Sequence, residues 1–579
     1  MFEIKDNFYL NGKPFQIVSG AFHYFRTVPE YWRDRLEKLR NMGCNTVETY
    51  IPWNFHEPKK GEFLWDGMRD ICRFMELAQE LGLYLIVRPS PYICSEWEFG
   101  GLPAWLLKDR NMRLRCSYGP YLQAVREYYE VLIPKLVPYQ VDRGGNIILV
   151  QIENEYGYYG NDTAYLEFLR DTMRELGITV PFVTSDGPWS ESGFRAGQVE
   201  GALPTGNFGS DVVGQFEAMK RYIGEDRPLM CMEFWNGWFD AWGDEEHHTT
   251  EPEKVAKELE DLLRLGHLNF YMFEGGTNFG FMSGRNNGCR TSDVTSYEYD
   301  ALLTEDGQIT RKYELCKEVI GRYRRIDEVP LSTGIKRKAY GKVQCTGKVD
   351  LFSALQDISE PVTSLYPLTM EEMDQNYGYI LYRIPMKEKV SEIALEGAAD
   401  RVQGYLDGTQ IFTAFAENIR DTFKPESEES TPVLDLLCEH LGRENFGTGL
   451  ERQRKGISEG VRVNGHRHYG FEIYPLPLEE EQMVKLNFER GYAENRPAFY
   501  RFEFEAEEIA DTFLDLDGFG KGCAFINGFN LGRFWEIGPQ KRLYIPGPLL
   551  RQGKNTIIIF ETEGKAAEVI SLEEEHCIG

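Results

Sequence analysis

Between residues 15 and 273, eight short apolar, β-branched runs alternate with amphipathic stretches, and this alternation restricts the fold more than any other feature of the sequence. The runs are Phe15–Ala21, Thr46–Ile51, Tyr84–Arg88, Asn146–Ile152, Pro181–Thr184, Gly201–Thr205, Pro228–Met232 and Asn269–Phe273. In Tyr31–Met42, Trp32, Leu36, Leu39 and Met42 recur at helical spacing. Asp70–Leu81, Tyr121–Leu136, Thr163–Leu176, Asp211–Tyr222 and Pro252–Leu265 repeat the pattern. Gly43, Gly82, Gly177 and Gly266 stand just past the last apolar residue of four of these stretches, where helix C-caps are expected. Eight strands alternating with helices predict an α/β fold, a (β/α)₈ TIM barrel over residues 1–328. A doubly wound sheet shares part of this pattern. The barrel is favoured because almost every run ends in a carboxylate, Asn, Tyr or Trp on the face where barrels build their sites.

Beyond residue 330 the texture changes to short strands separated by Gly, Asp and Asn turns, as in β-sandwiches. Here the chain repeats itself. Tyr379-Ile-Leu-Tyr-Arg and the Tyr405-Leu-Asp-Gly turn align with Phe499-Tyr-Arg-Phe and Phe525-Ile-Asn-Gly, and Val433–Leu437 aligns with Thr556–Phe560. Two copies of one jelly-roll module are expected, over 376–490 and 491–579. Residues 329–375 are expected to be a linker plus strands that pair with either module.

The chemistry concentrates at two strand ends. In Gly145-Asn-Ile-Ile-Leu-Val-Gln-Ile-Glu-Asn-Glu-Tyr-Gly157 a fully apolar strand runs into Glu153-Asn154-Glu155. A buried strand does not end in two carboxylates and an amide unless they face a cleft. Alternation would point Glu153 and Glu155 the same way if the strand persisted. In Pro228-Leu-Met-Cys-Met-Glu-Phe-Trp-Asn-Gly-Trp238 the seventh run ends in Glu233. Phe234, Trp235, Trp238 and Trp242 follow as walls for a pyranose ring. Two carboxyls across a barrel mouth suit glycoside hydrolysis, which with retention needs them about 5 Å apart, one protonated and one ionised.

The motif series Ser19-Gly-Ala-Phe-His-Tyr-Phe-Arg26, Asn45–Pro58, Arg88–Trp105, Met232–Asp240, Phe273–Gly280 and Thr295–Asp300, with the Glu155 segment, resembles family 35 of the glycoside hydrolases, the β-galactosidases. The resemblance extends through the β-modules and implies that they are galactose-binding-like. It implies a retaining exo-β-galactosidase that removes terminal β-galactosyl residues by double displacement, with Glu155 as acid/base and Glu233 as nucleophile. It also implies that Tyr50, Ser95, Glu96 and Asn154 hold the sugar, Asn154 through the 2-OH, and that Tyr299 hydrogen-bonds the nucleophile. Two positions depart from the animal members, Ser95 where Ala is common and Phe281 where Tyr stands. Trp235 and Trp238 are expected to shape the aglycone subsite, with Phe446 reaching over from the first β-module. The short two-module form resembles bacterial members that favour small β-1,3-linked galactosides, some of them homodimers. The nearest rivals are a β-glucosaminidase sharing this machinery and a sugar-binding protein without catalysis, against which both glutamates stand intact.

A net charge of −28 argues against nucleic acid or an anionic membrane as partner. Eleven cysteines without a CxxC pair are expected to be reduced thiols. The N-terminus has no apolar h-region, and no run of 18 apolar residues occurs, so a cytoplasmic enzyme is expected. On that reading the Asn161-Asp-Thr sequon is a coincidence. The Gly275–Gly280 loop lacks the Gly-Lys-Ser/Thr ending of a phosphate cradle. His247 and His248 are adjacent, a poor arrangement for one ion, so neither metal nor cofactor is expected.

Overall fold

The structure is a computed structural model that describes residues 1–579 apart from Asn287, Thr333 and Glu428. Eight parallel strands form a closed barrel in sequence order. They are β1 (Val18–Phe22), β2 (Thr46–Tyr50), β3 (Tyr84–Arg88), β4 (Ile147–Gln151), β5 (Phe182–Asp186), β6 (Ala202–Phe208), β7 (Met230–Trp235) and β8 (His267–Glu274). Each of the eight apolar runs became one of these strands, because each is covered by helices outside and by layered side chains within. Ile86, Ile148, Leu203, Met230 and Met232 belong to the interior layer, together with Phe2 and Phe8. The last two come from a small antiparallel N-terminal sheet. The α/β barrel was thus legible, and the doubly wound alternative falls away.

The surrounding helices are α1 (Pro29–Met42), α2 (Ile71–Glu80), α3 (Gly119–Leu136), α4 (Thr163–Glu175), α5 (Glu191–Ala196), α6 (Val212–Ile223), α7 (Pro252–Leu265) and α8 (Arg311–Tyr323). The short α5 buries only Gly193 and Phe194 and so carries no periodic signal. Helix α8 lies beyond the amphipathic stretches expected from the sequence, with Tyr313, Cys316 and Ile320 in its buried stripe. Gly43, Gly82 and Gly177 adopt left-handed φ values of 108°, 70° and 109°, as C-caps require. Gly266 does not: its φ of −172° is extended backbone. A side chain there would meet the Leu229 carbonyl oxygen at 2.4 Å, so close approach is what requires glycine at this position.

The repeat is visible as two sheets of equivalent order. In the first module, β10 (Tyr379–Pro385), β11 (Arg401–Leu406), β12 (Thr409–Phe415), β13 (Val433–Glu439) and β15 (Phe471–Leu476) run β12-β11-β13-β10-β15. In the second, β16 (Ala498–Ala506), β17 (Lys521–Ile526), β18 (Phe529–Trp535) and β19 (Gly553–Glu561) run β18-β17-β19-β16. The next place is taken by β9 (Gly341–Asp350). Both hairpins turn on residues with positive φ, Asp407-Gly408 and Asn527-Gly528, as two-residue primed turns demand. The first module therefore lies, in chain order, between β9 and the rest of the second, and residues 491–579 alone lack that strand. Residues Val362–Ser364 pair instead with β15 of the first module. Tyr379, Leu381, Leu437, Phe499, Phe525 and Phe560 bury the repeated sheets against each other. The first module reaches the barrel through β14 (Glu444–Phe446), which pairs in parallel with Arg285–Asn286.

Candidate active site

Strand β4 ends at Gln151, and the chain then leaves β geometry: Glu153 and Glu155 both take left-handed conformations, with φ of 55° and 47°. Strain of this kind, about 1–3 kcal/mol per residue, persists only where the surroundings enforce it. Its effect is to separate the two glutamates. Glu153 turns into the protein, where Arg115 donates to it from Nε (3.1 Å) and Nη2 (2.9 Å) and Tyr165 from its hydroxyl (2.8 Å). Glu155 turns into the mouth of the barrel, accepting at 3.1 Å from Asn207 Nδ2 at the end of β6. Its own N–H donates to the Ser185 carbonyl of β5 at 2.9 Å.

Glu233 enters the same mouth from β7. The register of β7 slips against β6 between Cys231 and Glu233, and against β8 between Cys231 and Phe234. Such a bulge re-aims a side chain beside a functional site. The Glu233 carboxylate accepts from Tyr50 Oη (2.8 Å), Arg88 Nη2 (2.6 Å) and Trp235 Nε1 (3.1 Å). Arg88 is itself buried, packed 3.9 Å from the Tyr50 ring centroid, and faces Glu48 at 3.6 Å. A guanidinium and two neutral donors on one buried carboxylate suit an anion.

The two glutamates sit in different surroundings. Burial pushes the Glu155 carboxyl up to about 8, with the Glu233 charge adding to the rise and the Asn207 hydrogen bond opposing it. A raised acid beside a carboxylate held by donors is the pattern of an acid/base partner and a nucleophile. Burial likewise raises Glu96 to about 7, against the pull of Tyr297 and Arg26.

Tyr50, Ser95, Glu96, Asn154, Glu155, Glu233, Trp235, Trp238, Tyr299 and Phe446 all line one cavity of about 250 Å³. That is just below the range usual for ligand sites, about 300–1,000 Å³. Asn154 Oδ1 accepts from Arg88 (2.5 Å) and Gln151 (3.2 Å) and lies 3.0 Å from the Tyr50 hydroxyl, whose proton goes to Glu233; this directs its NH₂ to the cavity. Cys94, Ser95 and Glu96 are three successive left-handed residues, with φ of 57°, 57° and 46°. Arg26 pins that turn through the Ser95 carbonyl (2.5 Å) and Oγ (2.9 Å), and Tyr297 donates to Glu96 Oε2 at 2.5 Å.

Tyr299 lines the cavity, with Glu233 among the charges that act on it. It packs edge-on to Tyr271 in the cavity wall, and the hydroxyl that reaches Glu233 is that of Tyr50. Phe281 lies outside the cleft altogether, buried between barrel and β-modules beside Tyr377, Tyr379 and Arg533. Arg88, Asn207 and Tyr271 also contribute to the site, beyond the candidate residues the sequence offers, while Trp189 stands only at its outer rim. Arg88 had a signal of its own, a cation ending the apolar run Tyr84-Leu-Ile-Val. His247 and His248 both bond Asp240, at 2.5 and 2.8 Å.

Residues 7–323 match the family described as glycosyl hydrolases family 35. Residues 367–477 match the beta-galactosidase first all-beta domain, and residues 497–555 the beta-galactosidase galactose-binding domain. The chain is 38% identical over 571 residues to beta-galactosidase-1-like protein 2 of Homo sapiens, covering 96% of this chain and 88% of that protein. It is 38% identical over 600 residues to the beta-galactosidase of Homo sapiens (97% and 87% covered). With beta-galactosidase 17 of Arabidopsis thaliana it shares 37% over 624 residues (99% and 88% covered).

Proposed function

This chain belongs to glycosyl hydrolase family 35 and is a glycoside hydrolase; on that premise we propose that it is a retaining exo-β-galactosidase acting on small oligosaccharides. The observation that carries the reading is the pair Glu155 and Glu233, brought from β4 and β7 into one small cavity with opposite environments.

In the first step Glu233 attacks the anomeric carbon while Glu155 gives its proton to the glycosidic oxygen, so that the aglycone leaves as an alcohol and galactose is esterified to Glu233. Esterification removes the Glu233 charge, which after burial is the largest cause that raises Glu155. Glu155, now ionised, takes a proton from water, whose oxygen displaces Glu233 and retains the anomeric configuration. The Asn154 NH₂ binds the 2-OH, where hydrogen bonds strengthen as oxocarbenium character develops. Glu96 accepts from other galactose hydroxyls. Tyr50 and Arg88 hold the nucleophile.

The small cavity supports removal of one terminal sugar, the aromatic rim of Trp235, Trp238 and Phe446 supports a short aglycone, and the resemblance to short two-module members supports a β-1,3 linkage. Eleven free thiols, six of them buried, support a reducing compartment, the cytoplasm. Among the described residues, no helix is long and apolar enough to cross a membrane. A panel of nitrophenyl β-glycosides tests the sugar: galactoside should be the substrate, and turnover of a glucosaminide without galactoside would overturn the reading. Product analysis with β-1,3-, β-1,4- and β-1,6-linked galactosyl disaccharides tests the linkage, the first being the expected best substrate.

A further inference from the structure

Trp189 is a large apolar side chain left 51% exposed at the rim of the catalytic cavity. Its place is nevertheless built. The indole folds back over Gly187, where an added Cβ would stand 2.0 Å from the ring. Its centroid lies 5.1 Å from Tyr158 and 5.8 Å from Trp235. Tyr158 in turn donates to the Gly187 carbonyl at 2.8 Å. The ring is thus held from behind with its outer side open, as a binding platform is and as a core residue is not.

The chemistry says what passes that platform. The leaving alcohol must lie on the side of the acid that protonates it, and Trp189 is rooted on that side. It follows β5, whose Ser185 carbonyl anchors the Glu155 N–H, and it touches Tyr158, three residues beyond Glu155. Trp235, tied to Glu233 by its indole N–H, is the inner ring of the wall. Trp189 is the next ring outward.

We propose that Trp189 forms a second aglycone subsite, an aromatic face against which the second sugar beyond the scissile bond stacks. This rests on the β-galactosidase reading above and deepens it. The ligand class is a neutral oligosaccharide, one C–H face on the indole and its hydroxyls in water.

The test compares wild type, Trp189→Ala and Trp189→Phe on three substrates: a nitrophenyl β-galactoside, a β-galactosyl disaccharide and the matching trisaccharide. Trp189→Ala should lower kcat/KM for the trisaccharide about tenfold, through KM, while the other two substrates change less than about twofold. Trp189→Phe should recover most of the loss. Equal losses on disaccharide and trisaccharide would place the ring at the first subsite and overturn the proposal. So would no loss on any substrate, or a wild-type KM no lower for the trisaccharide than for the disaccharide. Failure of the wild type to turn over any β-galactoside would instead overturn the function on which the proposal rests.

Discussion

Replacing Asn207 by Ala should make the enzyme work to higher pH while leaving its catalytic carboxyls in place. With Glu155 at about 8, roughly ten molecules in eleven carry the proton at pH 7, and the acid step fails as pH rises past that value. Asn207 donates to the Glu155 carboxylate at 3.1 Å, which favours the ionised form. Ser185 Oγ donates to Asn207 Oδ1, which fixes the amide with its NH₂ toward Glu155. A hydrogen bond to a charged group contributes about 1.5–3 kcal/mol, or one to two pH units at about 1.36 kcal/mol per unit. Water entering the vacated space takes back part, so the expected rise is about one unit. The other groups that face Glu155 stay: Glu233, Glu96 and Arg88, with Tyr92, Cys94, Tyr158 and Asp186 behind them. The assay is kcat/KM against pH for an unactivated galactosyl disaccharide, which reports the free enzyme and needs the acid. The alkaline limb should move up. A limb that stays in place or moves down would refute the assignment of that limb to Glu155.

Other outcomes follow from the same geometry. Glu155→Gln should cut kcat/KM on the disaccharide by about 10²–10⁴, with a much smaller loss on a dinitrophenyl galactoside whose leaving group needs no proton. Glu153→Ala should instead be a stability variant: it leaves the buried Arg115 unpaired, a loss of about 3–5 kcal/mol readable by urea unfolding. Trp238→Ala should weaken the preference among β-1,3-, β-1,4- and β-1,6-linked disaccharides by about two- to tenfold, with nitrophenyl galactoside turnover little changed.

What could be read from the sequence, and what could not, follows from the range of each signal. Strand ends were legible because a run such as Ile147–Ile152 must be buried and Glu155 just beyond it must not be wasted. The divergence of Glu153 from Glu155 was not, since it depends on two left-handed residues that no alternation rule anticipates. Tyr50 and Tyr299 are both tyrosines near the cleft, and only packing decides which hydroxyl meets Glu233. Asn207 stands in Ala202-Leu-Pro-Thr-Gly-Asn-Phe, without a neighbouring carboxylate to draw attention to it. The insertion of one β-module between β9 and β16 was illegible for another reason. Pairing of Cys345 with Phe502 leaves no mark on either local sequence.

The central claim is that Glu233 forms a covalent bond to the sugar while Glu155 manages the proton. A 2-deoxy-2-fluoro-β-galactosyl fluoride tests it most directly, because the C2 fluorine slows both steps and the good leaving group lets the first proceed. Digestion and mass spectrometry of the inactivated enzyme should find the fluorogalactosyl group esterified to Glu233. A label on Glu155, or on neither glutamate while the enzyme is inactivated, would contradict the account.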